Sequence, residues 1–251
     1  MWNKETTVAR CLLVAVGLTS LLWSIEVLPS SWRMVAANAA TTRIIGGDRF
    51  RPDTLKEILA VVQSGPSAML EHPDFVRAKA LAHLRFSEES MAGHDSEEAD
   101  ANLSRALRNV RSALAMNPRD SFLWLMLYSV ETTRSGFDPH YILYLDQSYA
   151  VGPHEGWISL RRNRLGLGAF PTLSDAVRSA VISEFVEMVD ADFIDNAASN
   201  LIGIGWKYHE DLLAALASAD LVSRQGLHKR LAADGIKLSI PGIAVDERPW
   251  R

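Results

Sequence analysis

The sequence of 251 residues has one cysteine, Cys11, which lies inside an apolar segment. A disulfide needs a pair of cysteines, so the rest of the chain can have no internal disulfide, no thiol nucleophile and no cysteine-based zinc site. An excess of basic charge is missing too, because 26 Lys and Arg stand against 30 Asp and Glu, a formal net charge of −4. A general nucleic-acid-binding surface needs a basic face that displaces phosphate counterions, so we expect no nucleic-acid partner.

Recognisable catalytic motifs are missing as well. His209-Glu210 has no second histidine four residues on, and no Gly-x-Ser-x-Gly elbow occurs. Two glycine pairs, Gly166-Leu-Gly168 and Gly203-Ile-Gly205, lack a third glycine, and we predict that both end helices. The sequence therefore predicts no catalytic residue, no metal ligand and no cofactor, in a protein that is not an enzyme.

An uninterrupted apolar run from Cys11 to Ile25 is the segment that stands out. Extended to 8–28, it matches the roughly 30 Å hydrocarbon core of a bilayer, with Arg10 and Glu26 at the two interfaces. Lys4 and Arg10 favour a cytoplasmic N-terminus. The sequence predicts a cytoplasmic segment 1–7, a single transmembrane helix 8–28 in the inner membrane, a linker 29–52, and a C-terminal domain in the periplasm.

A cleaved secretory signal is the alternative interpretation of this segment. Ala37-Asn38-Ala39 is a small-residue cleavage site, and cleavage would release a soluble periplasmic binding module. The site lies 14 residues beyond Ile25, a long gap after an apolar run. This distance favours the uncleaved anchor.

From residue 53 onward the apolar spacing is helical. Leu55, Ile58, Leu59 and Val62 follow the i, i+3, i+4, i+7 pattern, and Gly65-Pro66 ends that helix. Further helices are predicted at 73–90, 96–117, 121–134, 139–151, 156–166, 173–190, 191–202, 208–219 and 221–233. The fold class is all-α, with one helical domain over 53–234. The tail 235–251 is predicted to be extended, either capping the last helices or offered to a partner.

One spacing is more specific than helical periodicity. Its first copy consists of Ala106, Val110, Ala113 and Pro118, followed by Trp124 and Leu127. Its second consists of Tyr141, Leu145, Ser148 and Pro153, followed by Trp157 and Leu160. The two prolines are 35 residues apart. The pattern resembles the tetratricopeptide repeat, whose period is about 34 residues.

The resemblance implies antiparallel helical hairpins stacked as a short solenoid. It also implies a concave partner-binding side, on which the corresponding residues are Phe122, Leu125, Ser129, Thr132, Arg161 and Arg162. Bacterial proteins of this kind often accompany envelope machinery, so the expected function is a membrane-anchored periplasmic adaptor. Its partners would be cell-envelope proteins, including those of polysaccharide assembly or export.

Three points stay open in the sequence. The first is an exported enzyme acting on glycans through acid residues that no motif identifies. The second is the oligomeric state. The third is the stripe of Arg105, Arg108 and Arg111, which is typical of a solvated helix face.

Overall fold

The computed structural model describes residues 4–45, 54, 56, 57, 60, 73–92, 96–153 and 155–244. Within 4–45, side-chain positions are described at 10, 12–25, 35, 39 and 41–44. All regular structure in these residues is helical and none of it is strand, which confirms the all-α class. The helix predicted around Leu55 to Val62 lies largely outside the described residues. The chain divides into two compact units, Met1–Pro118 and Arg119–Arg251.

The first unit contains α1 (Lys4–Ile45), α2 (Pro73–Ala92) and α3 (Ser96–Met116). Helices α2 and α3 pack as a hairpin through small and branched side chains, and Ala80, Leu81, Ala106 and Val110 are buried. Helix α1 packs against α2, and the Thr41 side chain near its C-terminal end is buried.

Helix α1 is longer than the sequence predicts, because it continues without a break through 29–45, where we expected a linker. Along its N-terminal half, every described side chain from residue 12 to residue 25 is exposed. No helix within the described residues combines the length and the apolar character needed to cross a membrane. Several side chains of the predicted anchor 8–28 lie outside the described set.

The second unit contains seven α-helices in its described residues: α4 (Ser121–Ser135), α5 (Ile142–Val151), α6 (Gly156–Ala169), α7 (Asp175–Asp190), α8 (Ile194–Ile202), α9 (His209–Ala215) and α10 (Leu221–Ala233). Helices α4 and α5 form one hairpin, and α6 and α7 form the next. The start of α4 is fixed by Asp120, whose carboxylate accepts a hydrogen bond from the Leu123 N–H at 3.1 Å. The boundary between the two units falls inside the predicted 53–234 domain.

The prediction for the first glycine pair is wrong. Gly166 and Gly168 lie within α6, which continues to Ala169, whereas Gly203 does end α8. A methyl group at position 166 would lie only 2.7 Å from Val181 Cγ2, so Gly166 lets α6 approach α7 closely. Gly166 therefore serves helix packing, because it has no side chain to clash with α7, and it does not end the helix.

The described part of the tail, residues 235–244, contacts the second unit at two points. Ile240 is buried, and the Arg224 guanidinium donates a hydrogen bond to the Pro241 carbonyl at 2.6 Å. Gly242 has φ +77°, and a Cβ there would meet Arg224 at 2.9 Å. This contact and this turn hold residues 241 and 242 against α10.

Candidate functional site

A fully buried arginine lies at the centre of the second unit. Arg162, on α6, is 0 % exposed, and its Nη2 lies 2.6 Å from Glu184 Oε1 on α7. Its Nε donates to the same carboxylate oxygen at 2.8 Å. Nη1 donates to the Ser148 and Gly152 carbonyls, each at 2.8 Å, and Nη2 donates to the Pro153 carbonyl at 3.2 Å. One guanidinium therefore ties the end of α5 to α6 and α7.

Glu184 has partners for both carboxylate oxygens. Its Oε1 also accepts a hydrogen bond from the Ser159 hydroxyl at 2.9 Å, and its Oε2 accepts one from the Tyr149 hydroxyl at 2.7 Å. The Tyr149 ring lies 4.2 Å from the Arg162 guanidinium carbon, a cation–π contact. We call these four residues, Tyr149, Ser159, Arg162 and Glu184, the buried network.

A second buried polar contact lies beside the network. The Asn163 amide donates to the Val181 carbonyl at 2.9 Å, and Asn200 donates to Asn163 Oδ1 at 3.0 Å. This pair connects α6 to α7 and α8. Polar side chains thus join three helices. Hydrogen bonds are directional, so they fix how these helices are rotated relative to one another more strictly than apolar packing does.

Burial sets the protonation behaviour of the network. Burial raises the pKa of Glu184, while the Arg162 charge and the hydrogen bonds from Arg162, Tyr149 and Ser159 act in the opposite direction. Burial, together with the adjacent Glu184 charge, holds the pKa of Tyr149 well above its ordinary value. Every donor of Arg162 and both oxygens of Glu184 are occupied by groups of the chain, so the network connects α5, α6 and α7 and offers no free donor of Arg162 to a reactant.

The six residues predicted to bind a partner do not form one surface. Phe122, Leu125 and Arg162 are buried, Ser129 and Thr132 are half-buried, and Arg161 is exposed. The expectation that Arg162 projects into an open concave side is therefore wrong. Its position four residues after the buried Ile158 places it on the same inward face of α6, a signal that the sequence contained.

The exposed face of α6 carries a different set of side chains. Trp157, Arg161 and Arg164 recur at i, i+4 and i+7, so they lie along one side of the helix, and all three are exposed. The Trp157 side chain is 42 % exposed, and its ring packs at 4.9 Å against that of Phe122, which holds it in place. We call these three residues the α6 face. Tryptophan and arginine are the residue types most enriched where protein interfaces gain their binding energy.

A shallow groove of about 350 Å³ lies between α7 and the turn after α9. Its lining is Ser179, Ile182, Ser183, Val186, Glu187, Ala215 and Ser218. None of these side chains is a histidine or a cysteine, and Glu187 is the single carboxylate. Across the part of the chain that the structure describes, no three His, Cys, Asp or Glu side chains are grouped to hold a metal ion.

No protein-family model, no curated protein and no solved structure matches this chain.

Proposed function

We propose that the chain is a single-pass, inner-membrane-anchored adaptor whose helical domain faces the periplasm and binds protein partners of the cell envelope. The residues proposed to be in the membrane are 8–28, and the proposed docking surface is the α6 face. Assembly or export of envelope polysaccharide is the context that the tetratricopeptide-like resemblance suggests for these partners.

The observation that carries the membrane attachment is the exposure of the apolar part of α1. Successive helical residues point about 100° apart, so exposed side chains at every position from 12 to 25 surround the helix completely. The large apolar ones are Leu12, Leu13, Val14, Val16, Leu18, Leu21, Leu22, Trp23 and Ile25. A helix that is apolar on all sides needs cover on all sides, which lipid supplies and a single protein surface does not.

Two polar side chains of this segment, Thr19 and Ser24, also suit an apolar environment. The Thr19 hydroxyl lies 2.9 Å from the Val16 carbonyl and 3.0 Å from that of Ala15, and the Ser24 hydroxyl donates to the Ser20 carbonyl at 2.8 Å. Each hydroxyl therefore satisfies its donor within the helix and needs no water.

Retention of the anchor is supported by the backbone around Ala39. Residues 37–39 are helical, so their carbonyls and N–H groups belong to the helix ladder of α1. Proteases cut most readily where the backbone is exposed and free of such hydrogen bonds. The mass of the mature N-terminus tests this point directly, because cleavage after Ala39 would leave a chain that begins at residue 40.

The tetratricopeptide-like arrangement is proposed on the burial of the positions that carry it. In the first copy Ala106, Val110 and Ala113 are buried, as close helix pairing requires. In the second copy Leu145 and Ser148 are buried, and Ser148 donates a hydrogen bond to the Ser121 carbonyl on α4 at 2.8 Å. Small residues at these positions bring paired helices together.

Site-specific photocrosslinking in native membranes tests the adaptor function. A photoreactive residue at position 164 on the α6 face is compared with one at position 229, which is exposed on α10. We expect adducts with specific envelope proteins from position 164 only, and their loss when Trp157 and Arg161 are both changed to Ala. The same adducts from both positions, or adducts that persist in the double variant, would contradict the proposed surface.

A further inference from the structure

One hydrogen-bond contact shows which residues of α2 and α3 lie side by side in their hairpin. His83 Nδ1 on α2 lies 3.3 Å from Asn102 Oδ1 on α3, and both side chains are buried. Because the two helices are antiparallel, residues before His83 lie beside residues after Asn102. The hairpin therefore has two ends of different composition.

Charge is segregated between these ends. One end carries five cations and a single carboxylate, namely Arg77, Lys79, Arg105, Arg108 and Arg111 with Asp74. The described charges of the other end are Glu88, Glu97, Glu98 and Asp100 with Arg85, which pairs with Glu88 at 2.8 Å. We call the first of these the arginine end. Its Arg105, Arg108 and Arg111 side chains are exposed.

Two cations of the arginine end, Arg105 and Arg108, are not neutralised by the described groups around them. Arg105 donates to the neutral Asn102 at 3.2 Å, and no described carboxylate forms an ion pair with Arg105 or Arg108. The positive charge of this end also acts on the buried His83. Burial lowers the pKa of His83, and the charges of Arg105, Arg108 and Lys79 lower it further. Two exposed guanidinium groups of this kind are suited to bind phosphate, which the planar fork meets with two hydrogen bonds.

The packing of the first unit indicates where such phosphate would be found. Helix α1 contacts α2 directly and is continuous between Ile25 and Thr41. At 1.5 Å per residue these 16 positions span about 24 Å, so continuous helix links the exposed apolar segment to the Thr41 region of α1. The nearest extended anionic surface is then the lipid headgroup layer around that segment.

We propose that the arginine end docks on anionic lipid headgroups of the same membrane that holds α1. This inference rests on the proposed membrane attachment. It assigns α1 and the arginine end two complementary contributions, insertion of an apolar helix and electrostatic binding to phosphates, and two such signals together hold a domain against a bilayer.

Fluorescence quenching by labelled headgroups tests the docking in the full chain reconstituted in vesicles. In a Cys11→Ala background, a dye is attached at Ser112→Cys beside the arginine end, or at Ala101→Cys beside the acidic end. The two positions are eleven residues apart, so they lie on the same face of α3, and both are exposed. We expect phosphatidylglycerol vesicles to quench the dye at 112 strongly and the dye at 101 weakly, and phosphatidylcholine vesicles to remove this difference.

Variants identify the groups responsible. Each arginine near an anionic surface raises the ratio of docked to undocked molecules about fivefold. The double substitution Arg105→Gln with Arg108→Gln should therefore lower this ratio about 25-fold. The control Lys207→Gln with Lys229→Gln removes two exposed cations from the second unit and should leave the ratio unchanged. Quenching at 112 that ignores lipid charge or the arginine substitutions would overturn the proposal. So would binding of the detergent-solubilised chain to an acidic polysaccharide without any lipid-dependent quenching.

Failure of the anchor is detected separately. Flotation with phosphatidylcholine vesicles reports insertion of α1 alone, because these lipids carry no net charge. A chain that does not float with them refutes the proposed anchor, whereas a chain that floats without charge-dependent quenching refutes only the docking of the arginine end.

Discussion

The guanidinium of Arg162 is completely buried. It loses its contacts with water and instead contacts one carboxylate, three carbonyls and an aromatic ring. Transfer of a charge into a protein interior is costly unless it is paired and hydrogen-bonded. At the scale of single residues, the important consequence is that Arg162 and Glu184 depend on each other. Neither charge has another partner of opposite sign in the described part of the second unit's interior.

This dependence predicts a strong and non-additive effect on stability. Arg162→Met leaves Glu184 buried without its cation and should lower the free energy of unfolding by about 3–5 kcal/mol. Glu184→Met should cost a similar amount for the converse reason. The double variant removes both charges and should be more stable than either single variant, as measured by urea unfolding of the solubilised full chain. Costs that simply add would show that the pair is not coupled.

Tyr149 gives a prediction about pH. Its folded pKa is raised above the unfolded value of about 10, so the folded state keeps the proton that the unfolded state loses. Its contribution to stability is therefore complete below pH 10 and is lost as the pH rises above 10 towards the folded pKa. Between pH 10 and pH 11 the unfolded tyrosine goes from half to almost fully ionised, so the wild type should lose about 1 kcal/mol more than Tyr149→Phe. Parallel stability curves for the two proteins in this range would contradict the prediction.

At the scale of elements, periodicity and end signals predicted most helices of the described chain within a few residues. Helix α10 runs from Leu221 to Ala233, which are its predicted bounds, and α3 ends one residue before its predicted end. Such signals are local, because capping residues and apolar spacing act within one or two turns. The helical position of Arg162 could indicate that it faces inward, but its pairing with Glu184 was not predictable in the same way, because Glu184 is 22 residues away on another helix.

The misassigned glycine pair shows the same limit. A glycine that ends a helix and a glycine that allows close helix contact look alike in one sequence, since both are simply the absence of a side chain. Only the neighbouring helix distinguishes them. At position 166 that neighbour is Val181. At position 168 the nearest neighbour is Ile204, whose closest atom would lie 3.7 Å from an added methyl group.

These two glycines therefore form a matched pair for substitution. Gly166→Ala should destabilise the chain by about 1–2 kcal/mol, because overpacking against Val181 and the Tyr149 hydroxyl outweighs the better helix propensity of alanine. Gly168→Ala, exposed on the same helix, should stabilise it by about 0.5–1 kcal/mol. Thermal and urea unfolding measure both. Stabilisation by both substitutions would show that α6 and α7 are not in close contact at Gly166.

At the scale of the whole molecule, the chain combines a fully hydrogen-bonded buried network in the second unit with an N-terminal helix whose described apolar side chains are exposed. Fourteen consecutive exposed residues on α1, from Leu12 to Ile25, contribute nothing to the packing of the described domain. Polar substitutions there should leave the fold intact, because no internal contact is lost. Their effect should appear only in attachment to the membrane.

Leu18→Asp combined with Leu21→Asp tests this separation. A charged residue near the centre of a membrane helix costs about 2.5–3.5 kcal/mol, so the pair should abolish membrane integration and move the chain into the carbonate-soluble fraction. The far-ultraviolet circular dichroism of the solubilised protein should not change. Val35→Asp is the matched control, because Val35 is also an exposed apolar residue of α1 but lies outside the proposed anchor, so it should remain integrated. If the Leu18 and Leu21 variant stays in the membrane fraction, or if Val35→Asp is released equally, the apolar segment of α1 is covered by something other than lipid.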